Sequence, residues 1–145
     1  MRIRAFGNAS ASNATETIEV EKKGTLTMAT ACLFLGWNRP TAGREREAWT
    51  MLTGETVEQI EKWKKEGWFE SYAVVGLTPH GGDLNSFVLL EGDRAKLDEL
   101  RRTDPFERFS MRLARLLDGY GVIPGVTFEG LKKVRERNAD LYSSG

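Results

Sequence analysis

Between Ala29 and Ile123 the spacing of apolar residues alternates between a period of two and a period near 3.6, and that order restricts the fold more than any composition does. Ala29 to Trp37 is a short apolar run ending at Asn38-Arg39-Pro40, and reads as a buried strand. From Arg44 to Lys65, Ala48, Met51, Leu52, Ile60 and Trp63 recur at helical spacing with Thr56 between them, and Gly67 ends the helix. Gly54 is its weak point, costing about 1 kcal/mol against Ala. Phe69 to Leu77 and Ser86 to Glu91 are strands separated by the turn-rich Thr78-Pro79-His80-Gly81-Gly82-Asp83, so they should pair antiparallel.

Asp93 is a candidate helix cap, and Thr103-Asp104-Pro105 interrupts and restarts that helix with proline in a first turn. Leu116 to Ile123 is the last strand, Pro124-Gly125 turns the chain, and Gly130 to Leu141 is a charged helical tail. The order is β-α-β-β-α-β. It predicts an α+β chain of the ferredoxin-like kind: a four-stranded antiparallel sheet, two main helices on one face, and a C-terminal helical tail.

Residues 1–27 read differently. They are rich in Ala, Ser, Thr and Asn, with Phe6 their only aromatic, too little apolar surface to offset the entropy of ordering them. Thr17-Ile18-Glu19-Val20-Glu21 could add an edge strand. Asn8-Ala9-Ser10 and Asn13-Ala14-Thr15 match the glycosylation sequon, but no apolar leader follows Arg2 and Arg4. Glu21-Lys22-Lys23-Gly24 would be encoded by purine-rich codons shortly before Met28, as a translated ribosome-binding site would be. A disordered arm and a natural start at Met28 are therefore equal readings of 1–27, and residues 28–145 are expected to form one domain.

Composition excludes more than it identifies. The 145 residues carry 21 Lys+Arg against 21 Asp+Glu, which argues against a dedicated nucleic-acid or anionic-membrane binder. A single Cys leaves no internal disulfide framework and no thiolate metal cage. No apolar run approaches the roughly 20 residues of a membrane span. A cytoplasmic protein without metal or cofactor is the expectation.

Strand alternation sorts residues onto two faces. Phe69, Ser71, Ala73, Val75 and Leu77 are the more uniformly apolar set of their strand, suited to helix packing, as are Leu117, Gly119, Gly121 and Ile123 of the last. Trp68, Glu70, Tyr72, Val74 and Leu116, Asp118, Tyr120, Val122 are then expected on the outer face. Bare, such a face would be an apolar patch that monomers seldom tolerate, so a second copy of the sheet is its simplest cover.

A ferredoxin-like chain of this length with such a face resembles the dimeric α+β barrel superfamily, which includes YCII-related, EthD-like and antibiotic-biosynthesis-monooxygenase-like proteins. Lys65-Glu66-Gly67-Trp68 and Thr103-Asp104-Pro105-Phe106 are similar to the helix-ending Glu-Gly and the Asp-Pro-aromatic segment of YCII-related chains. The resemblance implies a homodimer joined through its sheets, with a small organic ligand or substrate in a sheet cavity. The chain departs from the YCII-related pattern at the start of the first helix. Arg44 and Arg46 stand where a His is expected, and that family's acid–base chemistry does not carry over.

Candidate chemistry is sparse. His80, the only histidine, could transfer protons with Asp83 as its orienting partner, although a Pro-His-Gly-Gly-Asp segment is more often simply a turn. Cys32, inside an apolar strand, reads as a small hydrophobe rather than a nucleophile. Trp37 and Arg39 could form a ligand mouth, since Trp stacks and Arg binds anions. Glu70, Tyr72, Asp118 and Tyr120 are expected to line a pocket on the outer sheet face, with Trp37 and His80 at its mouth; His80, Asp83, Asp118 and Tyr120 are the catalytic candidates. The favoured reading is a small-ligand-binding domain. The alternatives are a cofactor-free monooxygenase, isomerase or lyase using the sheet cavity, and a purely structural homodimer.

Overall fold

The computed structural model describes residues 2–4 and 28–143. Strands β1 (Arg2–Arg4), β2 (Ala31–Trp37), β3 (Ser71–Gly76), β4 (Ser86–Gly92) and β5 (Gly121–Val126) form one sheet in the order β1-β3-β4-β2-β5, every neighbouring pair antiparallel. The fold is α+β, as the alternation of periods requires, with four strands between residues 31 and 126 and β1 added on the free edge of β3. The tail reading did not include β1; the Thr17–Glu21 strand and both sequons lie outside the described residues.

The long helix expected over Arg44–Lys65 is two helices, α1 (Glu45–Thr53) and α2 (Glu55–Lys65), broken at Gly54. Gly54 has the poorest helix propensity of the segment after proline, and the chain bends there. The second helical region is also a pair, α3 (Arg94–Arg101) and α4 (Asp104–Leu116); Asp93 is the expected cap, accepting from the Lys96 N–H at 3.1 Å, and Thr103 caps α4, accepting from the Phe106 N–H at 3.3 Å. A fifth helix, α5 (Phe128–Arg137), is followed by the single turn Ala139–Leu141.

The last strand runs later than its pattern suggests. Leu116 closes α4, Leu117 to Tyr120 make a turn in which Gly119 has φ +68°, and Pro124-Gly125 lie inside β5 rather than turning the chain. Proline is tolerated there because β5 is an edge strand, paired only with β2.

The core lies between the helices and one face of the sheet. Leu33, Leu35 and Trp37 of β2, Tyr72 of β3, and Val88 and Leu90 of β4 are buried and point to the helices. Tyr72 and Val74 are therefore on the helix side, with Ala73 and Val75 on the outer side, the reverse of the expected assignment. Phe69 causes the phase error: it is buried, 4% exposed, but precedes the strand in a turn, so it does not share a face with Ser71 and Ala73. The same reversal holds at the chain's end, where Tyr120 and Val122 pack on the core and Ile123 points outward, 58% exposed.

The outer face carries Phe34, Phe87, Leu89, Val75 and Ile123, brought together by the register Phe34↔Leu89, Phe34↔Ile123 and Val75↔Phe87. Phe34 and Phe87 stack with centroids 5.2 Å apart. This face is more apolar than the sequence suggested, because the two tyrosines are not on it. Cys32 is half-buried on this outer face rather than in the core, opposite Glu91, and burial followed by the Glu91 charge raises its thiol pKa.

Candidate functional site

A cleft of about 610 Å3 opens at the end of the sheet where β2 and β3 finish and β4 begins, between the sheet and α1–α2. Its volume is within the 300–1,000 Å3 usual for small-molecule sites. Leu52 of α1 and Val74 and Val88 of the sheet form the apolar interior, Trp37 walls it, and Trp49 stands at the opening, 57% exposed. The loop from Pro79 to Asp83 forms one rim and Asn38-Arg39-Pro40 the other.

Backbone hydrogen bonds hold the two rims in place. The Asn85 N–H donates to Trp37 O at 2.9 Å and the Leu77 N–H to Asn85 O at 2.8 Å, while the Asn85 side chain donates to Asn38 Oδ1. The second rim is clamped to the turn before β5: Asn38 N–H to Asp118 O and Asp118 N–H to Arg39 O, both at 2.8 Å.

Thr56 lies in the first turn of α2, is 1% exposed, lines the cleft, and has a buried hydroxyl without a hydrogen-bond partner. Its neighbours behave otherwise. Thr50 donates to Arg46 O at 2.9 Å and Thr53 to Trp49 O at 2.7 Å, the usual bond of a helical threonine to the carbonyl four residues back. The break at Gly54 separates Thr56 from a continuous preceding turn and leaves it without that bond. An unsatisfied buried hydroxyl costs about 1–3 kcal/mol, and the Thr56 oxygen is closed off from the cleft, so that cost falls on the packing beneath it.

Of the residues expected at a site, the structure brings Trp37, Arg39, His80 and Asp83 together around this cleft. His80 Nδ1 lies 2.9 Å from Thr78 O, consistent with a ring N–H donating to that carbonyl. The other four do not line it. Tyr72 points into the helix layer, where its hydroxyl donates to Glu61 Oε1 at 2.7 Å. Tyr120 pairs with Ser110 of α4 at 2.8 Å, and burial pushes its phenol up to about 12. Glu70 is exposed in the bend before β3. Asp118 is exposed and accepts from the Thr41 hydroxyl at 2.9 Å, so it braces the Arg39 rim from behind instead of facing a ligand.

The sequence reading passed over Trp49 and the role of Thr56. The signal for Thr56 was present: a hydroxyl within the apolar stripe, four residues after Leu52 and four before Ile60. A second hollow, of about 790 Å3 between α1 and α4, is lined by Arg44, Arg46, Arg112 and Arg115. Glu47 pairs with Arg44 at 2.9 Å and Glu55 pairs with Arg112, exposed ion pairs of little energetic consequence, while Arg46 and Arg115 make no ion pair among the described residues.

Among the described residues no group of three His, Cys, Asp or Glu side chains is placed to hold a metal ion, and no helix is long and apolar enough to cross a membrane. Comparison with protein-family models, with curated proteins and with solved structures returned no match to this chain.

Proposed function

We propose that this is a small-ligand-binding protein of ferredoxin-like architecture, working as a two-fold homodimer of the dimeric α+β barrel type, with its ligand in the cleft between the sheet end and α1–α2. The observation that carries the reading is the cleft itself: about 610 Å3, with Leu52, Val74 and Val88 inside it and Trp37, Arg39, His80 and Asp83 around them. The segment Trp37–Arg39 and the His80 loop supply its two rims.

The architectural part rests on the β3-β4-β2-β5 order, with a helical connection on each side of the β3-β4 hairpin, which suits the split βαβ scheme. The dimer part rests on the outer face, where Phe34, Phe87, Leu89 and Ile123 form an apolar surface across β2, β4 and β5. One observation favours a catalytic reading of the same cleft, namely that His80 and Asp83 share its rim. A His80→Gln variant that still bound a molecule but no longer converted it would establish that reading.

The cleft is tested with the neutral dye N-phenyl-1-naphthylamine, which fluoresces in apolar sites, against the wild type and Thr53→Trp. Thr53 is exposed on the cleft wall, so the larger side chain closes the opening without entering the core. Saturable binding lost in the variant at unchanged melting temperature is expected. Equal binding to both proteins would place the dye elsewhere and refute the cleft as the site.

A further inference from the structure

Away from the cleft, we infer that the hollow between α1 and α4 is a second site, and that it takes a phosphate group with two negative charges, free or on a small ester. α1 turns a different face to each place: Trp49, Leu52 and Thr53 line the cleft, whereas Arg46, Thr50 and Met51 line the hollow. The inference therefore stands apart from the cleft reading. The hollow, of about 790 Å3, holds four guanidiniums and two carboxylates, an excess of two positive charges in a chain whose formal net charge is zero. A concave place with such an excess concentrates anions.

The four arginines have different tasks. Arg44 is engaged on all sides: Nε and Nη2 donate to the Glu47 carboxylate at 3.1 and 2.9 Å, and Nη1 donates to Arg115 O at 3.3 Å. Arg112 is held by Glu55. Arg46 of α1 and Arg115 of α4 remain, one on each helix wall, and neither guanidinium has a hydrogen bond or an ion pair among the described residues.

These two residues ride on bases fixed to each other. Besides the bond from Arg44 to Arg115 O, the Thr41 N–H donates to Leu116 O at 2.8 Å, and the Thr41 hydroxyl donates to Asp118 Oδ1 at 2.9 Å. The start of α1 is thus fastened to the end of α4. The same bonds occupy the last two carbonyls of α4, which would otherwise turn the negative end of that helix toward an anion. Guanidiniums on so fixed a frame lose less freedom on binding than they would on a loop.

Charge and shape choose the ligand. Two free guanidiniums on separate walls call for an anion that accepts from two directions at once. A tetrahedral phosphate does so with three terminal oxygens, whereas the two oxygens of a carboxylate lie in one plane and match a single fork. Its two charges equal the local excess. Glu47 and Glu55 set the upper limit, because a polyanion such as a nucleic-acid backbone would meet them as well.

The experiment is calorimetric titration of the full chain at pH 8 and low salt, where a phosphate monoester is fully dianionic. Phenyl phosphate should bind at least about tenfold more tightly than phenyl sulfate, which has the same shape and one charge fewer, and than phthalate, a dianion of two carboxylates. Arg46→Gln and Arg115→Gln should each weaken phenyl phosphate about tenfold at unchanged melting temperature. Arg101→Gln, which removes an exposed arginine of α3 outside the hollow, should leave it unchanged. Inorganic phosphate separates the two sources: binding as tight as that of phenyl phosphate supports the free ion, and weaker binding supports an ester. No binding to the wild type, phenyl sulfate or phthalate as tight as phenyl phosphate, or an equal loss in Arg101→Gln would overturn the inference. None of these outcomes alters dye binding in the cleft.

Discussion

The Tyr72 hydroxyl of β3 donates to Glu61 Oε1 of α2 at 2.7 Å, tying the sheet to the helix layer through the rim of the core. Tyr72 is 2% exposed, so its ring lies in the core and the bond satisfies its hydroxyl there. Tyr72→Phe should cost about 1 kcal/mol, the usual net worth of such a bond, and lower the melting temperature by about 3 °C. Glu61→Gln, which keeps an acceptor, should cost less. Urea unfolding of the two variants measures both values, and a Tyr72→Phe protein as stable as the wild type would make the bond incidental.

Tyr120 gives the chain an alkaline sensitivity of defined sign. Burial raises its phenol from 10.0 to about 12, with the Ser110 hydrogen bond working the other way. A folded-state value above the unfolded one means that its contribution to stability is complete below pH 10 and is lost as pH rises through about 12. The stability of the wild type relative to Tyr120→Phe should accordingly fall by about 2–3 kcal/mol across that window, at about 1.4 kcal/mol per pH unit. Denaturant melts at pH 9, 10, 11 and 12 would show the curves converging. A constant difference between the two proteins would contradict the burial of this phenol.

Gly130 is in α5, where glycine is ordinarily about 1 kcal/mol worse than alanine. Here a Cβ would collide with the Thr30 carbonyl oxygen and approach Val126 Cβ to 2.9 Å. Thr127 fastens the same junction, donating to Ala29 O at 2.7 Å and accepting from the Gly130 N–H at 3.1 Å. Gly130→Ala should therefore destabilise by about 1–3 kcal/mol, as overpacking does, where propensity alone would give a gain. Thermal unfolding gives the sign directly.

The outer sheet face predicts the state of association. The wild-type chain, of 16.3 kDa, should sediment at micromolar concentration as a dimer. Phe87→Arg with Leu89→Lys places two charges on the face and should give a monomer with an unchanged far-UV spectrum, since both side chains point away from the core. A monomeric wild type would remove the dimer from the proposed function without touching the cleft.

How far the sequence could be read depended on what each pattern encodes. Periods of two and 3.6 encode which residues share a side, and with local turn chemistry they were sufficient for the strands between residues 31 and 126, for the cap at Asp93 and for an α+β chain. They do not encode which side the helices cover. The two sets on β3 differ little in hydrophobicity, and Phe69, buried but outside the strand, shifted the count by one residue. A shift of one residue exchanges the two faces entirely, which is why Tyr72 and Tyr120 were expected on the open surface and are found against the helices. The candidate site divides in the same way. Trp37, Arg39, His80 and Asp83 stand at strand ends and in the loop between strands, where local punctuation alone marks a rim, and the structure gathers them around one cleft.

Thr56 and Trp49 could be assigned only in three dimensions. A hydroxyl in an apolar stripe has a meaning only once its missing partner is known, and that depends on the break at Gly54 and on the sheet end that α1 and α2 cover. Sequence determined the elements and their order, because those follow from local periodicity and local turn chemistry. Tertiary packing determined the facing of the strands and the floor of the cleft, because burial is a property of what arrives from elsewhere in the chain.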